Sequence, residues 1–263
     1  MNPLKLTVLL GWAVALLSGV VTPAPAAAAA AGESKCYEMR IYYAPPGRLD
    51  DLHARFRNHT MKLFEKHGIE NVGYWVPADN SENKLIYLLG YPSREAREAS
   101  WKAFMADPDW KAVQKQTEAN GRIVAKVEAF YLTPTDYSPA IKIGNVAKGG
   151  VFELRTYTTP EGRLSHLDSR FRDHTIKLFE KHGMGNWGYF HRMADQPEAA
   201  TTLVYLLTHK SQEAAKASFG AFGQDPAWKS AREASEKAAG GSLTAKDGVK
   251  SVFLVPTDYS PTK

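Results

Sequence analysis

Two hydrophobic periods alternate along the chain, and each marks a different kind of secondary structure. In residues 37–43, apolar Met39 and Ile41 alternate with polar side chains, which predicts a half-buried strand. Residues 49–67 then place apolar side chains three and four positions apart, the spacing of a helix, and Gly68 predicts its end. Further strand patterns follow at 72–76, 84–91 and 124–133.

Local capping signals place a second helical region between the last two strand patterns. Ser93 can cap the start of a helix that carries Ala96 and Phe104, and Asp107-Pro108 opens a further helical turn. The resulting order is β-α-β-β-α-β. That order is typical of a ferredoxin-like domain of the α+β class.

The same order of segments occurs twice. Residues 62–68 (KLFEKHG) return unchanged as 177–183, and both copies end in the hexapeptide PTDYSP. We therefore divide the chain into two homologous domains and a Gly-containing linker, at 36–139, 151–263 and 140–150. A four-stranded sheet with helices on one face leaves its other face bare. We expect the sheet of each copy to cover the sheet of the other.

The first 31 residues have a different character. A positive charge at Lys5 precedes an uncharged run over 6–21, and an Ala-rich stretch leads to Ala31. This pattern is typical of a secretory signal peptide. The uncharged run is shorter than the roughly 20 residues that a membrane-spanning helix needs. We expect cleavage near Ala31, export to the periplasm or the extracellular space, and no stable membrane anchor afterwards.

Charge and cysteine content exclude several classes of function. The formal net charge is +5, but positive and negative residues alternate along the helices, as in residues 94–98 (REARE). Mixed signs indicate a solvated helix face, so we predict no nucleic-acid partner. Cys36 is the only cysteine and should be a free thiol. No Cys cluster and no metal-binding His spacing occurs, and we predict no metal site.

His59 and His174 are the candidate residues on the first helix of each copy. His59 follows Phe56 by three positions and precedes Leu63 by four, so helical spacing places it on the buried stripe that faces the sheet. His174 has the same position in the second copy. Each is either a core histidine held by a structural hydrogen bond or a ligand-contacting, acid–base group.

The other candidates are polar residues on the first strand of each copy. They alternate with Met39 and Leu154, and we expect their face to meet the sheet of the other copy. Either they form ion pairs across that interface, or their arginines line a pocket for a carboxylate or a phosphate. The residues are Glu38, Arg40, Tyr42, Glu153, Arg155 and Tyr157.

Several short motifs resemble those of the NIPSNAP family, in the dimeric α/β-barrel superfamily. They are the opening YEMR (37–40), the helical FRNHT (56–60), the DPDW turn (107–110) and their second-copy partners. The resemblance covers nearly all of residues 36–261. It implies that the two ferredoxin-like domains pair their sheets as an intramolecular barrel, with a ligand cleft between helices and sheet.

The resemblance implies a fold more firmly than an activity, because this family has no settled reaction. We expect an exported protein that binds a small molecule in a helix–sheet cleft without a cofactor. Fold relatives include cofactor-free monooxygenases and haem proteins, so a small cofactor-free or haem-linked oxidoreductase is the alternative. A protein-interaction module is a third hypothesis. The catalytic residues, the ligand and any further oligomerisation remain open at this point.

Overall fold

A computed structural model describes residues 35–263 of the chain. The expected signal peptide, residues 1–31, lies outside the described residues. Within them, no helix is long and apolar enough to cross a membrane.

Residues 35–263 form eight strands and six helices in the order β-α-β-β-α-α-β, repeated once. The strands are β1 (Cys36–Tyr43), β2 (Glu70–Pro77), β3 (Lys84–Tyr91), β4 (Lys126–Pro134), β5 (Val151–Thr158), β6 (Gly185–Arg192), β7 (Thr202–His209) and β8 (Val249–Pro256). The helices are α1 (49–66), α2 (Arg94–Ala106), α3 (Pro108–Thr117), α4 (164–181), α5 (Gln212–Gln224) and α6 (Pro226–Ala238). The predicted strands of the first copy agree with these bounds to within two residues.

The eight strands close into one antiparallel barrel in the order β1-β3-β2-β8-β5-β7-β6-β4. Within each copy the first strand is central and pairs with the third and fourth strands. The copies join where β2 pairs with β8 (Trp75 opposite Pro256) and β4 pairs with β6 (Leu132 opposite Arg192). The predicted pairing of two ferredoxin-like sheets as an intramolecular barrel is therefore confirmed.

The barrel interior buries the faces that separate sheets would leave bare. Alternate strand positions of both copies point inward and form one apolar cluster, which includes Met39, Trp75, Phe152, Trp187 and Leu206. Met39, Trp75 and Phe152 are fully buried. Two further apolar clusters lie outside the barrel, one between the helices and the sheet of each copy.

The helix ends follow the predicted capping chemistry. Ser93 Oγ accepts a hydrogen bond from the Ala96 amide at 3.1 Å, at the start of α2. The carboxylate of Asp107 accepts the amide of Asp109 at 2.8 Å, with Pro108 in the first turn of α3. Gly68 follows α1 with a φ of +71°, a conformation that glycine adopts without strain.

The first helix of each copy contains a π-helical turn that the apolar spacing did not predict. In α1, the segment Phe56–Thr60 lies between the α-helical segments Leu49–Arg55 and Met61–Lys66. In α4 the segment Phe171–Thr175 has the same form. The Thr60 hydroxyl is buried and donates to the Arg55 carbonyl, five residues earlier, at 3.2 Å. The wider turn changes which side chains face the sheet.

The segment 140–150, expected as a linker, lies against one end of the barrel. Ile141, Val146 and Ala147 pack on the interior cluster. The Trp187 indole donates to the Lys142 carbonyl at 2.9 Å, and Gly144 forms an isolated bridge with Thr262.

Candidate functional site

A cavity lies between the helices and the sheet in each copy. The first cavity has a volume of about 470 Å³ and the second about 250 Å³. The first is lined by Arg40, Tyr42, Arg55, Phe56, Thr60, Phe64, Trp101, Phe104, Met105, Trp110, Gln114, Glu118, Arg122, Val124 and Val127. The second is lined by the corresponding set: Arg155, Tyr157, Arg170, Phe171, Thr175, Phe179, Phe219, Phe222, Trp228, Arg232, Thr244 and Val249.

Strand β1 delivers Arg40 to the wall of the first cavity. Its Nε donates to the Tyr87 hydroxyl at 3.0 Å and its Nη2 to the Tyr42 hydroxyl at 3.3 Å. The guanidinium lies 4.3 Å from the ring centroid of Trp101, a cation–π contact with α2. Arg40 is thus held in one orientation under the helices.

Glu38 is the buried counter-ion of this arginine. Its carboxylate accepts from Arg40 and from both Nε (2.9 Å) and Nη2 (2.8 Å) of Arg97, and the Tyr91 hydroxyl lies at 3.2 Å. Burial alone would raise the pKa of Glu38, but the hydrogen bonds from Arg97 and the charge of Arg40 outweigh it and hold this pKa below its ordinary value. The carboxylate therefore stays ionised inside the protein.

The predicted orientation of this polar stripe is wrong. Glu38, Arg40 and Tyr42 face the helices of their own copy, whereas Met39 points into the barrel toward the other copy's sheet. The same holds for Arg155 and Tyr157, which line the second cavity. The ion pairs therefore form within each copy and not across the interface. The reason is that both faces of each strand are covered, and the barrel interior takes the fully apolar one.

The second copy builds its network from different partners. Glu153 accepts from Arg155 and Ser251, and its Oε2 lies 2.9 Å from His209 Nε2. His209 stands where the first copy has Tyr91, and Ala215 stands where it has Arg97. Arg155 also donates to the Tyr205 hydroxyl at 2.9 Å. Both replacements are visible when the two copies are aligned, but only the contacts show that they change the hydrogen-bond partners of the buried glutamate.

A second arginine in each cavity was missed by the sequence analysis. Arg55 is 4% exposed, and its Nη1 donates to Glu118 at 3.0 Å, while its guanidinium lies 5.3 Å from the ring centroid of Trp110. Arg170 is the equivalent residue of the second copy. Their place in the sequence could have indicated their burial, because both arginines directly precede the buried Phe56 and Phe171.

The prediction that His59 and His174 lie on the buried stripe is wrong. His59 is half-buried and lies beside Asn58 and Thr117, in a depression separate from the first cavity. His174 is exposed. In the π-helical turn more residues complete one circuit, so Thr60 and Thr175 occupy the inward positions that an α-helix would give to the histidines. Neither histidine lines either of the two cavities between helices and sheet.

Comparisons with known proteins agree with this architecture. The sequence profile of the NIPSNAP family matches residues 37–139 and again residues 152–261. The chain belongs to the NIPSNAP family. No curated protein matches the sequence.

Solved structures resemble this NIPSNAP chain over one copy or both. A "putative monooxygenase" from Lactobacillus acidophilus NCFM has 11% identity and a TM-score of 0.53, over 85% of this chain and 94% of that one. An anthrone oxidase-like protein has 14% identity and a TM-score of 0.52, over 86% and 92%. A NIPSNAP family protein from Agrobacterium tumefaciens C58 has 23% identity and a TM-score of 0.37, over 40% and 97%. The first two share the two-copy fold, and at these identities the likeness concerns fold alone.

The cavities of this NIPSNAP chain do not offer the usual ligands of haem iron. Among the described residues that line them there is no histidine and no cysteine. Of the lining side chains of other haem-ligating types, Tyr42 and Tyr157 accept from arginines, and Met105 is exposed. Cys36 is buried at the start of β1, and burial raises the pKa of its thiol to about 11. The donor set therefore does not fit haem.

Proposed function

We propose that the chain is an exported NIPSNAP-family protein whose first cavity binds a flat, largely apolar molecule that carries one hydrogen-bond acceptor. The observation that carries this proposal is Arg55 Nε, which is buried in the cavity wall and has no hydrogen-bond partner among the described residues. A buried donor without a partner is costly, and a bound acceptor would satisfy it.

The lining supports a flat apolar body. Aromatic rings surround the space on several sides, and its volume is within the range of small-molecule sites. Aromatic faces pack well against planar ligands. The rings are those of Tyr42, Phe56, Phe64, Trp101, Phe104 and Trp110.

The buried charges of the first cavity favour a neutral acceptor over an anion, because the third arginine of its lining, Arg122, is exposed. The guanidinium of Arg55 is already matched by the Glu118 carboxylate at 3.0 Å, and Arg40 is matched by Glu38. A carbonyl oxygen can accept from Nε without adding charge. We therefore expect an aromatic ketone or aldehyde to be a better ligand than the hydrocarbon of the same shape.

The test compares acetylnaphthalene with ethylnaphthalene, which lacks the acceptor. We expect the ketone to bind about tenfold more tightly, the value of one well-placed hydrogen bond. Binding is measured by tryptophan fluorescence, because Trp101 and Trp110 line the cavity. In Arg55→Lys, which retains the charge beside Glu118 but loses the planar donor, the two probes should bind equally. Equal binding to the wild-type protein would contradict the proposal.

A cofactor-free oxygenase is the second candidate function. Such chemistry needs a base beside the substrate, and Glu118 is the only carboxylate among the described residues that line the first cavity. The fold likeness to an anthrone oxidase-like protein suggests anthrone as the trial substrate. Oxygen uptake that is lost in Glu118→Gln would support this candidate, whereas binding without oxygen uptake would support the first.

Export rests on the leader pattern of residues 1–31. The mature protein from a native-like host should lack roughly 26–32 N-terminal residues by intact mass. A mature protein that begins at Met1 would overturn this part of the proposal.

A further inference from the structure

We propose that the second cavity is a separate binding site for a small aromatic carboxylate. This inference goes beyond the proposed function, since it concerns the other copy, another anchoring residue and a charged ligand. It rests on Arg170, a buried cation whose hydrogen bonds the protein leaves incomplete.

Arg170 lies in the wall of the second cavity and is 5% exposed. Its Nε and Nη1 have no hydrogen-bond partner within residues 35–263. The nearest carboxylate oxygen, Glu236 Oε1, is 3.8 Å from Nη1 and already accepts from Arg232 Nε at 3.1 Å. Burial lowers the pKa of Arg170, which reflects a cation with poor compensation. A carboxylate placed against this guanidinium would supply the close counter-ion that Glu236, at 3.8 Å, does not.

In the first copy the equivalent buried arginine has a close carboxylate partner, which the second copy lacks. There Arg55 donates to Glu118 at 3.0 Å, and position 114 is a glutamine. In the second copy the corresponding residue is Arg232, which draws the equivalent Glu236 toward itself. The substitution of one side chain therefore leaves the buried arginine without a close counter-ion.

Charge counting gives the valence of the ligand. Three guanidinium groups line the second cavity, those of Arg155, Arg170 and Arg232. Two carboxylates pair with them: Glu153, which holds Arg155, and Glu236, which Arg232 shares with Arg170. Arg232 is exposed, so the uncompensated positive charge lies on the buried Arg170 and suits a monovalent anion.

The volume and the lining residues of the second cavity indicate the size and the apolar part of the ligand. The volume of about 250 Å³ is below that of most drug-sized sites, so the space suits a single ring. Phenylalanine and tryptophan rings form the apolar walls, and the guanidinium of Arg170 lies 5.1 Å from the ring centroid of Trp228. The walls are Phe171, Phe179, Phe219, Phe222 and Trp228. Benzoate combines these properties.

The experiment uses the mature full-length chain and three probes: benzoate, neutral benzamide and inorganic phosphate. Titration calorimetry should show benzoate binding at least tenfold more tightly than benzamide, and no phosphate binding. Arg170→Gln should weaken benzoate binding at least tenfold. Arg55→Gln, the matched change in the first cavity, should leave it unchanged.

A change at the buried Arg170 can abolish binding through misfolding, so a second variant changes an exposed residue instead. Arg232 is 58% exposed, and Arg232→Gln should fold normally while it frees Glu236 to pair with Arg170. Benzoate binding should then weaken severalfold with an unchanged melting curve. Equal binding of benzamide, binding of phosphate instead of benzoate, or full benzoate affinity in Arg232→Gln would each overturn the proposal. Acetylnaphthalene binding reports separately on the first cavity, so the failure of one site is distinguishable from the failure of the other.

Discussion

Arg57 and Asp258 lie 201 positions apart in the chain and form a two-point ion pair, with Nε and Nη2 each 2.7 Å from a carboxylate oxygen. The second copy repeats it with Arg172 and Asp136, at 2.9 and 2.7 Å. Each aspartate belongs to a PTDYSP hexapeptide, and each hexapeptide lies on the first helix of the other copy. The repeated hexapeptide therefore connects the two copies reciprocally.

The aromatic residue of the hexapeptide should stabilise this connection more than the ion pair does. Tyr259 packs on Tyr74 and its hydroxyl lies 2.7 Å from His53 Nδ1, whereas Arg57 and Asp258 are both largely exposed. We expect Tyr259→Ala to lower the free energy of unfolding by about 3 kcal/mol. Arg57→Gln should lower it by about 0–1 kcal/mol, as for other exposed pairs. Urea denaturation of both variants measures the two costs; a larger loss in Arg57→Gln would contradict this ranking.

The two predicted site histidines should contribute little to stability, because the π-helical turn directs them away from the core. We expect His174→Ala to change the free energy of unfolding by less than about 0.5 kcal/mol, as for most surface changes. Phe56→Ala, one helical turn from His59 and buried, should cost about 3–5 kcal/mol. Melting curves of the three alanine variants at positions 56, 59 and 174 test this. A loss in His174→Ala as large as that in Phe56→Ala would show that the histidine is structural.

Neither copy should be stable as a monomer, because the edge strands of each copy pair with edge strands of the other. In residues 36–139 alone, β2 and β4 would lose their partners, and the inner face around Met39 and Trp75 would be exposed. We expect this fragment to homodimerise or aggregate. Analytical ultracentrifugation of the fragment measures this. A folded monomer at micromolar concentration would mean that the copies are independent.

Acid should destabilise the protein through the two aspartates that cap α3 and α6. Hydrogen bonds from Lys66 and His67 hold the pKa of Asp107 well below its ordinary value of 3.8, and Lys181 and His182 do the same for Asp225. A pKa lowered by folding adds stability above the unfolded-state value and loses it as the pH falls through the folded-state value. The free energy of unfolding should therefore fall as the pH drops below about 4.

The control for this pH dependence is the double variant Asp107→Asn, Asp225→Asn. Asparagine is also a good cap, so both helix starts are retained while the carboxylates are removed. Urea midpoints measured from neutral pH down to strong acid should fall less steeply in the variant than in the wild type. Parallel curves would assign the acid sensitivity to other carboxylates.

The differences between the two buried networks predict a rescue. Arg97→Ala removes the two-point donor of Glu38 and should cost about 3 kcal/mol, because it leaves a buried carboxylate poorly paired. The second copy has Ala215 at that position and uses His209 instead. We expect the added change Tyr91→His to restore part of the lost stability, as measured by urea denaturation. No recovery would contradict the role of the histidine as the compensating partner.

The sequence by itself determined the repeat, the order of the strands and helices, and the capped helix ends at Ser93 and Asp107. These features depend on local period and on side chains that bond to neighbouring backbone, so one segment contains all that is needed. The bare faces of the two sheets predicted that the sheets cover each other. The resemblance to the family implied that they do so as a barrel.

Only the tertiary structure decided which residues form the cavities. Alternation along β1 places Met39 and Arg40 on opposite faces of the strand. Both faces are covered, one by the barrel interior and the other by the helices, and alternation does not show which of the two each side chain contacts. Helical spacing likewise places His59 inward, and only the π-helical turn, held by the Thr60 hydroxyl and by packing on the sheet, turns it aside. Arg55 and Arg170 became candidates once burial and missing partners were visible. Those properties depend on residues more than sixty positions away, such as Glu118 and Glu236, and so on the fold as a whole.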